Sequence, residues 1–182
     1  MPSSTSSQRR FESLGAREVH GGNFIDVCVE RFRYPDGDEV EREIVRHQGA
    51  AGIVAHDDTH LYLVRQPREA LGDPDFLEIP AGRLDQEGES PLEAAQRELA
   101  EEIGKAAERW ERITSYVSSA GMSDEVVHVF HATGLSDRDA EADENERIEI
   151  VRWPLDDLDG AIAATRDAKS LIGLLWLKLD RG

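Results

Sequence analysis

A single cysteine, Cys28, occurs in the 182-residue sequence, so neither an intramolecular disulfide nor a cysteine-based zinc knuckle can be built. Neither is needed, because a chain of this length buries roughly 70% of its extended surface in one domain. Basic residues are scarce: 21 stand against 38 acidic ones, for a formal charge of −17. This balance disfavours the basic footprint that a nucleic-acid polymer or an anionic membrane requires. Long apolar runs are also missing. The longest, Leu171 to Leu177 with Gly173 inside it, is far shorter than the roughly 20 residues of a membrane-spanning helix. The opening MPSSTSSQRR lacks the apolar stretch of a secretory signal. Residues 1–17 are therefore expected to form a flexible tail, and the chain reads as cytoplasmic. No glycine-rich phosphate loop, nucleophile elbow or haem motif is present. The histidines show no zinc spacing, and Cys28 has no catalytic partner in its sequence context, so it is expected to be a buried strand residue.

Apolar periodicity is what the sequence does have. FIDVCVERFRY from Phe24 alternates up to the turn signal PDGD, and EVEREIV resumes the alternation, predicting an exposed hairpin over Phe24 to Tyr34 and Val40 to Val45. AAGIVAH, LYLVRQ and DFLEIP predict further strands from Ala50, Leu61 and Asp75. The strongest helix signal starts at Ser90, a capping residue. Pro91 fits the first helical position, Glu93 supplies the carboxylate of a capping box, and Gly104 supplies the stop. Leu92, Ala95, Leu99 and Ile103 fall on one stripe, the expected buried face. ERITSYVS, EVVHVFHATG and RIEIVRW return to strand character, and a helix is expected from about Asp167 to Leu179. This order, without a regular βαβ repeat, favours an α+β fold with a mixed sheet over a doubly wound one.

Chemistry concentrates at Glu98, Glu101 and Glu102, directly after Arg97. Spacings of three and four put Glu98 beside both later carboxylates on one flank of the helix. Such like charges repel in isolation. Two readings of the spacing stand: a solvated acidic face, or a site for a hard divalent cation that prefers carboxylate oxygens. The acidic ADENER stretch is open in the same way, as a solvated segment or as part of a site. Arg46, Arg65 and Arg68 are candidates for gripping phosphate, or else ordinary ion-pair residues.

Read in full, GRLDQEGESPLEAAQRELAEEIG from Gly82 to Gly104 resembles the signature of the Nudix hydrolases. That pattern is Gly, five residues, Glu, seven residues, Arg-Glu-aliphatic, one residue, Glu-Glu, one residue, Gly and an aliphatic. The sequence departs twice: one extra residue lies between Gly82 and Glu89, and Lys105 replaces the final aliphatic. The extra residue falls in the loop ahead of the helix, where length change is tolerable, so altered loop shape rather than lost chemistry is expected. EREIVRHQGA, LVRQPR, LEIPAG, SSAGMSDE and ADENERIEIVRWPLDDL extend the resemblance to the ADP-ribose pyrophosphatase branch.

The resemblance implies a Nudix-like α/β/α sandwich, with a catalytic domain over 49–182 and an N-terminal antiparallel β element over 18–48 in homodimer contact. It implies Mg²⁺- or Mn²⁺-dependent hydrolysis of ADP-ribose to AMP and ribose 5-phosphate. The alternatives are another nucleotide sugar, NADH or an oxidised nucleotide, or a non-catalytic ligand sensor on the same fold. By motif position, Glu98 and Glu102 become the principal metal ligands, Glu101 a third or a metal-water ligand, and the Ala81 carbonyl completes the set. Arg97 is expected to hold neighbouring carboxylates, Glu89 among them. Glu144 falls at the base position and Glu146 at a further ligand position. Arg42 and Glu43 match a pair contacting adenosine, and Arg68 matches an arginine that meets the diphosphate. Gly121 and Glu125 match residues at the ribose-phosphate end, with Ala120 where proline is commoner.

Overall fold

The computed structural model describes residues 10–139 and 147–182. The chain divides into two compact units, Met1–Gln48 with Val117–Glu125, and Gly49–Tyr116 with Val126–Gly182.

In the first unit, β1 (Glu12–Gly21), β2 (Ile25–Arg33) and β3 (Glu39–His47) form an antiparallel sheet in that order. The β2–β3 pair is the hairpin predicted from alternation around PDGD. β1 begins at Glu12, inside the stretch expected to be a tail. Nearly all of its side chains are exposed, so no buried face imposes the alternation by which a strand is read. Cys28 is buried on β2, as expected. Phe11 meets Phe32 edge to face at 5.1 Å, while Phe24 and Tyr34 stay exposed.

The second unit is built on a seven-stranded sheet. β4 (Ala50–His56), β5 (His60–Arg68), β8 (Lys105–Val117), β9 (Val126–Asp137) and β10 (Glu149–Pro154) run in the order β10-β5-β4-β9-β8, with β6 (Asp73–Glu78) on β5 and β7 (Ala81–Arg83) on β4. β4 pairs parallel with β9 and antiparallel with β5 and β7, so the sheet is mixed. Alternation along the strands fills two separate cores. Val54, Leu61, Leu63, Val127 and Val129 point to one face, where Leu158 and Ala161 of α2 (Leu158–Ala164) and Leu174 and Leu177 of α3 (Ala168–Arg181) cover them. Ile53, Ala55, Tyr62, Val64 and Phe130 point to the other, under Ala95, Leu99 and Ile103 of α1 (Pro91–Ile103). Helices on both faces of a mixed sheet make the α/β/α sandwich expected from the resemblance.

The predicted cap and stop of α1 are both present. The Ser90 side chain accepts from the Glu93 N–H, the Glu93 side chain accepts from the Ser90 N–H, and Gly104 closes the helix at φ 65°, a left-handed conformation that glycine adopts without steric cost. The stripe needs one correction. Ala94 is buried in place of Leu92, which stays 37% exposed, because the first turn of α1 reaches past the edge of its core. Leu99→Ala is therefore expected to cost about 2–5 kcal/mol and Leu92→Ala less than about 1 kcal/mol. Urea denaturation of the two variants checks this; equal losses would restore Leu92 to the core.

Candidate active site

Glu98 and Glu102 lie one turn apart on the side of α1 that faces β7, and both are buried. What admits Glu98 is Gly82: a Cβ on that residue would fall inside the Glu98 carboxyl group. Glu102 Oε2 accepts the Ala81 N–H at 2.9 Å. Both carboxylates thus press against the backbone of the β7 strand, with the Ala81 carbonyl on the same short segment.

Arg97 ties the remaining acids together. Its Nε and Nη2 donate to the two oxygens of Glu89, each at 3.0 Å, a bidentate pair. Nη1 donates to Glu98 Oε1 at 2.6 Å and to Glu101 Oε2 at 3.0 Å, and Nη2 also donates to the Arg83 carbonyl at 3.2 Å. The Glu89 hydrogen bonds and the charge of Glu98 raise the Arg97 pKa above its ordinary value against the opposing effect of burial. Asp85 stands 3.6 Å from Arg97 and 3.4 Å from Arg83. Four carboxylates, Asp85, Glu89, Glu98 and Glu101, therefore meet Arg97, and Asp85 also meets Arg83. Among the described residues no three acidic, histidine or cysteine side chains converge into a ready-made cation site.

Arg68 lies in a different cluster of the same unit. Its Nε and Nη2 lie 2.7 and 2.6 Å from Oε1 of Glu78, a carboxylate only 1% exposed. Lys169 of α3 pairs with the other Glu78 oxygen. Glu78 and Lys169 escape sequence reading: within LEIPAG a glutamate looks like one more alternating strand residue, and its partner lies 91 positions away. Arg65 pairs with Asp75 at 2.9 Å.

In the first unit, Arg42, Glu43 and Gly121 line one groove of about 750 Å³, together with Arg17 and Glu41. Arg42 Nη1 donates to the Glu41 carbonyl at 2.8 Å. Glu125 lies 3.5 Å from His47 Nδ1 instead. Arg46 holds buried Glu30 and, at 2.9 Å, Asp124. Glu144 and Glu146 lie outside the described residues.

A mixed sheet between helices, with a capped helix pressing carboxylates onto a glycine-bearing strand, defines the class of protein that the Gly82 to Gly104 pattern implied. The chain belongs to the Nudix family: the model of the NUDIX domain matches residues 45–173. It is 36% identical over 173 residues to an ADP-ribose pyrophosphatase of Bacillus subtilis (strain 168), covering 92% of each chain. It is 34% identical over 174 residues to a methanol dehydrogenase activator of Bacillus methanolicus, covering 93% of each. Among solved structures, that of an ADP compounds hydrolase superposes with a TM-score of 0.81 at 25% identity, over 96% of each chain.

Gly82→Ala tests the close approach of Glu98. Its methyl group must displace a buried carboxylate, so a loss of about 1–3 kcal/mol in urea denaturation is expected. Gly121→Ala meets open space and should stay within about 0.5 kcal/mol of wild type. Equal stability of the two variants would show that Glu98 does not need the room.

Proposed function

We propose that this protein hydrolyses the diphosphate linkage of ADP-ribose to AMP and ribose 5-phosphate, using Mg²⁺ or Mn²⁺. The observation that carries the reading is the complete α1 carboxylate set, fixed by Arg97 and admitted by Gly82, in a Nudix chain whose full-length relative from Bacillus subtilis is an ADP-ribose pyrophosphatase. The donor chemistry fits a hard divalent cation. Glu98, Glu101, Glu102 and the Ala81 carbonyl offer only oxygen, the donor such a cation prefers. When bound, the cation supplies charge neutralisation on phosphoryl oxygens and lowers the pKa of the attacking water.

The chain's own residues do the rest. Arg97 has committed its N–H groups to Glu89, Glu98, Glu101 and the Arg83 carbonyl; its part is to hold ligand carboxylates in orientation. Arg68 presents a guanidinium to the diphosphate. Arg42, Glu43 and Gly121 supply the adenosine and ribose-phosphate contacts in their groove, and Glu125 adds to the latter. Glu144 accepts the proton of the attacking water, with Glu146 as a further ligand. The N-terminal sheet forms a homodimer contact, since β1 is an edge strand and Phe24 is 53% exposed. The setting is cytoplasmic; among the described residues no helix is long and apolar enough to cross a membrane.

A product-resolved assay comparing ADP-ribose, ADP-glucose, NADH, diadenosine compounds and 8-oxo-dGTP, with and without Mg²⁺, tests the substrate. ADP-ribose should be cleaved fastest, and faster turnover of any other compound rejects it. Glu98→Gln and Glu102→Gln should retain the circular dichroism of the fold and lose at least about a hundredfold in turnover. Wild-type rates in Glu98→Gln at limiting Mg²⁺ would remove it from the ligand set. Glu144→Gln should depress the maximal rate with little change in substrate affinity, and retention of more than about a third of the rate excludes it as the base. Light scattering should report a dimer, and a 20.3 kDa particle at micromolar concentration would refute one.

A further inference from the structure

We infer that Glu78 is a positioning residue for the diphosphate contact: it grips Arg68 along one edge and turns the third guanidinium nitrogen outward for a phosphoryl oxygen. The inference rests on the role proposed above for Arg68 and adds the residue through which that role is set.

Arg68 spends Nε and Nη2 on Glu78. Among the described residues Nη1 has no protein partner, and the side chain is 41% exposed. A guanidinium is planar, so fixing one edge fixes the direction of the remaining N–H groups. The clamp is itself rigid. Glu78 is buried, and its second oxygen is taken by Lys169, which also stands 3.1 Å from Asp167. Asp167 caps α3 by accepting the Ser170 N–H at 2.9 Å and the Ser170 Oγ–H at 2.6 Å. Ser170 Oγ in turn accepts the Ile79 N–H at 2.8 Å, so the residue next to Glu78 is held by the same helix turn. A flexible arginine on an exposed strand end loses its rotamer freedom when it binds an anion. One held by a buried carboxylate has lost it already.

Glu78→Gln keeps the volume but sets an amide N–H₂ against a cation, so the clamp fails. Calorimetry with α,β-methylene ADP-ribose and with ADP, on wild type, Glu78→Gln, Arg68→Ala and the double variant, reads the consequence. Each single substitution should weaken binding about tenfold, and the double should bind within about twofold of Arg68→Ala, because Glu78 acts only through Arg68. Wild-type affinity in Glu78→Gln, or single losses that multiply in the double, overturns the inference. Should circular dichroism show Glu78→Gln unfolded, Arg68→Lys decides. One ammonium cannot hold Glu78 and also present a separate planar edge, so binding should fall as in Arg68→Ala, and wild-type affinity again overturns the clamp. The two readings separate cleanly. If ADP-ribose is not hydrolysed but ADP binds and the cycle is non-additive, the proposed substrate fails and the clamp stands. If ADP-ribose is hydrolysed and the cycle is additive, the clamp alone fails. A wild type that binds neither probe overturns both.

Discussion

Everything at the carboxylate helix turns on one guanidinium. Arg97 distributes its five N–H groups over both oxygens of Glu89, one oxygen each of Glu98 and Glu101, and the Arg83 carbonyl. It offsets the repulsion between Glu98 and Glu101 along α1 and ties the loop acid Glu89 to both. The same arrangement brackets the loop that carries the extra residue before Glu89. Arg83 at the start of the loop and Glu89 at its end are both held by Arg97.

The β7 strand is held from both layers of the sandwich. On one side Ala81 donates to Glu102 of α1, and on the other the Ile79 N–H is taken by Ser170 of α3. Between these, the Pro80 carbonyl accepts the Ile53 N–H of β4 at 2.8 Å, and Gly52 pairs with Ala81. Four consecutive residues, Ile79 to Gly82, therefore have their backbone or side-chain space fixed by the central strand and by two helices. An oxygen-donor site built on such a segment needs little reorganisation when it takes up charge.

Where a buried face imposes a period, the sequence is legible. β2, the central strands β4, β5 and β9, and the capped α1 all announce themselves through alternation or capping residues, while β3, with no residue fully buried, is marked by its alternation after the PDGD turn. β1 does not announce itself, since nearly every side chain on it is exposed. The three residues of β7 and the seven of α2 are too few to show a period at all. Leu92 departs from the stripe for a related reason: the 3.6-residue period continues to the end of a helix whether or not a core lies beneath it. At the site, Glu98, Glu101 and Glu102 were visible because helical spacing alone brings them together. Glu78 was not, because its meaning comes from Arg68 and Lys169, which only the tertiary fold delivers to it.

The two arginines show how an acidic chain can manage an anionic ligand. In a molecule of net charge −17, a guanidinium is drawn toward carboxylates wherever it lies, so ion pairing by itself does not distinguish a structural arginine from a ligand-facing one. The count of unspent donors does. Arg97 has five N–H groups and five acceptors, which makes it part of the framework. Arg68 meets its carboxylate through one edge only, so the two N–H groups of Nη1 point away from that carboxylate at an accessible strand end. In the reading proposed above, a phosphoryl oxygen supplies the lone pairs for that edge.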